Sequence, residues 1–147
     1  MIYRCTVSLS SRFIAPLLVI ALAAACAPSP NVDVTPVRGL EQRVTITVSR
    51  GLQPEIRWSP DSGLGWLHVG RNDTREQVWE LKLTDSTNSI RQPVRYGVAP
   101  SGIAAKPAIP LVPGAEYELS VGRVEMYRGS PMITQIARVR FRVEESK

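Results

Sequence analysis

Chemistry in this chain would fall to very few of the usual groups. There is one histidine, His68, set between Leu67 and Val69 in a stretch that reads as a strand. A lone histidine there is ordinarily a surface residue, and a Ser–His–Asp arrangement would have to be built around this one ring. Zinc finds no ligand set, because there is no second histidine and the only cysteines, Cys5 and Cys26, fall in the first 26 residues. The spacings G-x-S-x-G, H-E-x-x-H and S-x-x-K are absent. Gly63 and Gly65 are not followed by the Gly-Lys-Ser/Thr of a phosphate loop. Asp61, Asp73 and Asp85 belong to separate turns and lack the dense spacing of a calcium loop. Aspartate favours turns in any case, because its carboxylate bonds the local backbone. These residues predict no catalytic site, no metal and no cofactor: the chain reads as a non-enzyme.

Two groups of residues are candidates for binding instead. Arg138, Arg140 and Arg142 recur with period two near the C-terminus, which places them on one face of a strand. Such a row can meet phosphates or an acidic polysaccharide, or it can be a solvated face guarding a sheet edge against aggregation. The second group lies in the stretch from Val98 to Pro110, where Pro100, Pro107 and Pro110 exclude a helix and argue against a central strand. Loops carry function in strand-rich domains, so Ser101 and Lys106 there are candidate contacts. Trp58, Trp66 and Trp79 would suit sugar stacking, but on alternating strands tryptophan more often fills the core.

Charge narrows the partners. The net charge is +5; taking away Arg4 and Arg12, which precede Cys26, leaves sixteen basic against thirteen acidic side chains, a balance of +3. Nucleic acid calls for a more concentrated basic footprint. A mild positive balance suits work near anionic lipid or polysaccharide.

The elements that must position these residues begin after a leader. Residues 1–12 hold Arg4 and Arg12 and no acid, and residues 13–25 are uncharged and apolar. Thirteen residues are too few to span a bilayer but suit the core of a signal peptide. The run ends in Ala23-Ala24-Ala25-Cys26. That tetrapeptide resembles the lipobox of bacterial lipoproteins, with alanine at the place where the family prefers leucine. The resemblance implies cleavage before Cys26 and lipid attachment to its thiol, so the membrane is a partner through the N-terminal lipid. Ala27, where an aspartate would favour the inner membrane, implies the outer membrane facing the periplasm. Two or three acyl chains make a stable anchor, whereas one binds only marginally. Pro28, Ser29, Pro30 and Pro36 predict a semi-extended spacer to about residue 42.

From residue 43 the pattern is strand and turn. Val44, Ile46 and Val48 alternate with Thr45, Thr47 and Ser49; Ile56 and Trp58 continue inward; Leu64–Val69 and Val78–Leu83 follow. A short extended segment runs through Val94 and Tyr96. Tyr117, Leu119 and Val121 then face inward against Glu116, Glu118 and Ser120, and Gly122 marks a bulge. Ala137, Val139, Phe141 and Val143 form the last inward row. Short strands between turns predict an all-β antiparallel sandwich. Leu111-Val112-Pro113-Gly114-Ala115-Glu116-Tyr117-Glu118-Leu119-Ser120-Val121 resembles the E–F corner of fibronectin type III domains. The resemblance implies an immunoglobulin-like sandwich with Tyr117 as its structural tyrosine corner, the hydroxyl bonding upstream backbone.

The chain is thus expected as a signal peptide at 1–25, an acylated cysteine and Pro-rich spacer at 26–42, and a β-sandwich at 43–147. The expected function is a lipid-anchored cell-envelope lipoprotein acting as a non-catalytic binding or assembly module for an envelope protein or cell-wall partner. The alternative is a periplasmic inhibitor or sensor of an envelope enzyme such as a cell-wall hydrolase, with the 98–110 loop as a plug.

Overall fold

A computed structural model describes residues 31–39, 42–83, 85 and 87–144; the leader and Cys26 lie outside the described residues. Among the described residues there is no helix, and the chain folds as β1 (Asn31–Val32), β2 (Val34–Pro36), β3 (Thr45–Ser49), β4 (Glu55–Ser59), β5 (Trp66–Arg71), β6 (Gln77–Lys82), β7 (Val94–Arg95), β8 (Glu116–Tyr127) and β9 (Ser130–Arg142). Period-two apolar rows give each strand one face to bury, and two sheets take up those faces. One sheet has the order β1-β3-β4-β7 and the other β2-β9-β8-β5-β6, with every pairing antiparallel. Ile46, Val48, Ile56 and Trp58 from the first sheet join Leu67, Val69, Leu81, Tyr117, Leu119 and Val139 from the second in one buried cluster. The architecture is a sandwich-like all-β fold. Trp58 and Trp79 are core residues, whereas Trp66 is only half-buried and lies on the outer face.

Several details differ from the sequence expectation. Residues 31–36 fall in the stretch read as spacer but are paired: Val32 opposite Val48, and Thr35 opposite Arg140. The third main strand begins at Trp66 rather than Leu64 and runs on to Arg71, while Leu64 makes an isolated bridge to Ile90. The bulge expected at Gly122 is present in the β8–β9 register, but the extra residue is on the partner strand. Val121 pairs with Ala137 and Gly122 with Gln135, leaving Ile136 unmatched. A second bulge leaves Val78 unmatched between the Val69–Trp79 and Gly70–Gln77 pairs. Each bulge turns two successive side chains inward, which is why Val78 with Trp79, and Ile136 with Ala137, are all buried.

The final strand is not a free edge, so its arginines do not guard one. β9 lies between β8 and β2, and Val37 N donates to Arg138 O (3.0 Å) and Arg43 N to Ile136 O (2.7 Å) just beyond β2. The other edge of this sheet, β6, is covered by the 98–110 loop. Ala105 bridges Leu81, Ile109 N donates to Val78 O (2.9 Å), and the Tyr96 hydroxyl donates to Ile109 O (2.7 Å). Burial pushes the Tyr96 phenol up, with Tyr117 adding to the shift, which keeps it a donor at any physiological pH.

Candidate functional site

Alternation that buries one face of the five-stranded sheet turns the other outward, and register decides which outward residues meet. His68 on β5 stands opposite Glu80 on β6 and Ser120 on β8, and Ser120 stands opposite Arg138 on β9. The next rung holds Gly70, Glu118 and Arg140. Gly70 is buried, and a Cβ there would lie 3.1 Å from His68 Cε1, so the missing side chain allows the imidazole to lie over the strand backbone. Beyond Gly70 the chain turns at residues 72–74, and Arg75, with φ 57°, lies in the left-handed region. Arg71, Asn72 and Arg75 from this end of β5 and its turn line a cleft together with His68, Gly70, Glu118, Arg138 and Arg140. The cleft has a volume of about 490 Å³.

Its charge is unbalanced. Glu118 serves both arginines of β9, with Oε1 3.0 Å from Arg138 Nε and Oε2 3.6 Å from Arg140 Nε. Arg71 Nε is 2.9 Å from Asp73 Oδ1, and among the described residues no carboxylate pairs with Arg75. Four guanidinium groups therefore share two paired carboxylates. Asn72 donates from Nδ2 to Glu116 Oε2, which fixes the turn against β8.

His68 is held rather than poised. Its ring stacks on Trp66, with centroids 5.6 Å apart and planes 11° from parallel, and Trp66 Nε1 donates to Glu80 Oε1 at 2.9 Å. Burial lowers the His68 pKa; Glu80 and Glu118 oppose that and Arg138 reinforces it. Burial alone would raise the Glu80 carboxyl, but hydrogen bonds from Trp66 and Gln77, with His68 and Lys106 nearby, hold it below the ordinary value. Ser120, expected to face outward, does so but is covered to 2% exposure by its neighbours, and its Oγ accepts from Arg138 Nε at 3.4 Å. The row Ser120–His68–Glu80 has a triad's residue types, but Ser120 Oγ is bonded to Arg138 and Glu80 Oε1 to Trp66. Among the described residues, no three of His, Cys, Asp and Glu come together as metal ligands.

The candidate residues of the sequence separate in space. Arg138 and Arg140 line the cleft, while Arg142 is exposed beyond it, opposite Glu116. Ser101 and Lys106 are exposed in the loop over β6; Lys106, with Pro107 and Ile109, borders a separate depression against Gln77, Val78 and Trp79. Tyr117 places its hydroxyl 2.9 Å from Val112 N, from which it accepts. Cys26 lies outside the described residues. Arg71, Asn72 and Arg75 are site residues that the sequence pattern did not single out. Gly70 was the available signal, since an isolated glycine in a strand marks a bulge or a close approach.

Comparison with protein-family models, with curated proteins and with solved structures finds no match. The function has to be read from the chain's own geometry.

Proposed function

We propose that this chain is a lipid-anchored cell-envelope lipoprotein whose sandwich, of fibronectin type III-like kind, is a non-catalytic binding module. The observation that carries the binding reading is the arginine-lined cleft on the outer face of the five-stranded sheet. Guanidinium groups held in a fixed array recognise carboxylate or phosphate. The fold type is supported by the Tyr117 hydroxyl bonding back to Val112 N and by Trp58 buried on β4. The anchor rests on Ala23-Ala24-Ala25-Cys26 after the apolar run. Confinement to a membrane would raise the module's effective concentration against envelope partners, with the cleft supplying recognition.

The two halves of this reading are tested separately. Mass spectrometry of the native N-terminus should find Cys26 acylated, and Cys26→Ser should shift the protein from membrane to soluble fractions; an unmodified thiol on Cys26 would sink the anchor. For the binding face, the envelope material retained by the purified protein should be lost on joint Arg138→Glu and Arg140→Glu substitution. An unchanged retention profile would mean that the cleft is not the binding face.

A further inference from the structure

Taking the cleft as the binding face, we infer that it takes an acidic sugar: one ring of a glycan together with the carboxylate or phosphate that it bears. Three features of the cleft converge on that class. Its volume of about 490 Å³ is too large for a bare oxyanion and lies in the range that encloses a small organic ligand. Its cations are arginines on two different walls, Arg138 and Arg140 on β9 and Arg75 on the opposite turn, so an anionic group entering between them meets guanidinium forks from both sides. His68 also lines the cleft, its ring fixed by the stack on Trp66 and lying over the Gly70 backbone. A rigid aromatic ring in the lining of a cleft is a place for the flat apolar side of a sugar ring, and the guanidinium groups supply its polar partners.

A bilayer surface fits this shape less well. The cationic groups line a concavity rather than a plane, and Glu118 sits at its centre between the arginines. On the outer face of the other sheet, a second depression lined by Arg50, Arg57 and Arg95 is comparably basic. There Arg57 Nε is 2.6 Å from Glu55 Oε1 and Arg50 Nε is 2.9 Å from Glu144 Oε2. No stacked ring pair lines it, so it provides a basic control.

The test is calorimetric titration of the detergent-solubilised mature protein with trigalacturonate, maltotriose and inorganic pyrophosphate, and a flotation assay with phosphatidylglycerol-containing vesicles using the unacylated Cys26→Ser chain. Trigalacturonate should bind, and maltotriose should not. Arg138→Ala and Arg140→Ala should each weaken binding about tenfold, as expected for the loss of one charge-assisted contact. Arg142→Ala and Arg57→Ala should leave it within about twofold, since both residues lie outside the cleft. Equal losses from the control variants would mean diffuse surface charge and would overturn the inference. So would equal binding of maltotriose, tighter binding of pyrophosphate than of the sugar acid, or arginine-dependent vesicle binding without sugar binding. If the glutamate variants abolish envelope retention while no sugar acid binds, the ligand class is wrong and the binding-face reading stands. If cleft-dependent sugar binding is found with retention unchanged, the converse holds.

Discussion

Tyr117 shows how one atom can be worth testing when its ring is not. The side chain is 1% exposed and stacks on Phe141, with centroids 5.8 Å apart, so the ring is core whatever the hydroxyl does. The hydroxyl accepts from Val112 N at 2.9 Å and ties the chain just before β8 to the strand's own second residue. Tyr117→Phe keeps the packing and removes that tie. Val112 is exposed, so water can reach its freed N–H, and the expected cost is about 1 kcal/mol, the low end for an unpaired backbone donor. Urea unfolding should show a lower midpoint at an unchanged slope. A midpoint equal to that of the wild type would make the hydroxyl incidental. This tie was legible from Leu111–Val121 because its parts are neighbours in sequence. The cleft was not legible. Arg75 is far in sequence from Arg138 and Arg140, and a row of period two shows only that Arg138, Arg140 and Arg142 share a face, not which of them line a cleft with the 71–75 turn.

The β8–β9 hairpin is the element in which local signals and long-range pairing part company. Its turn was readable: Arg128 and Gly129, with φ 49° and 82°, are the two left-handed central residues of a two-residue hairpin loop. Its alternation was readable as well. What the sequence hid is that β5 pairs β8 only from Tyr117 to Gly122, so the far half of the hairpin runs on without a third strand. Met126, Tyr127 and Met132 are accordingly more than half or half exposed, at 65%, 57% and 50%. A two-stranded ribbon is marginal by itself, and the support comes from a loop residue. Asn88 accepts on Oδ1 from Val124 N (2.7 Å) and donates from Nδ2 to Val124 O (3.0 Å), completing the ladder where β5 has ended. Gly63 lets the Asn88 backbone approach, since a Cβ there would be 1.8 Å from Asn88 O. Asn88→Ala should leave both Val124 groups unpaired and cost about 1–3 kcal/mol. Amide hydrogen exchange should show lost protection at Val124 and outward along the hairpin, with Leu119 and Val121 unaffected. Loss of protection spread evenly over the sheet would contradict a local supporting role.

At the scale of the whole molecule, the N-terminal segment does what no single core residue can, because it pairs with both sheets. β1 adds to β3 of one sheet and β2 to β9 of the other, with only Asp33 between them. Strands of two and three residues are too short to show alternation, and prolines at 28, 30 and 36 give the stretch the composition of a spacer. That is why 31–36 was read as linker. The consequence concerns the anchor. If Cys26 is acylated, four residues, 27–30, separate it from the first paired strand, a reach of at most ~14 Å. Were the pairing then released as far as residue 42, that tether would lengthen about fourfold. Val32 is the residue to change, since it is buried at 7% exposure and holds β1 to Val48. Val32→Asp gives up about 2 kcal/mol of apolar burial, which in a domain of this size lowers Tm by roughly 10 °C. It should also open trypsin cleavage after Arg38, which lies in the turn following β2. The two readouts separate the causes: a lower Tm without cleavage would place the damage in the core alone. Cleavage at native temperature, with the rest of the sandwich intact, is the outcome expected of a segment that pairs with both sheets.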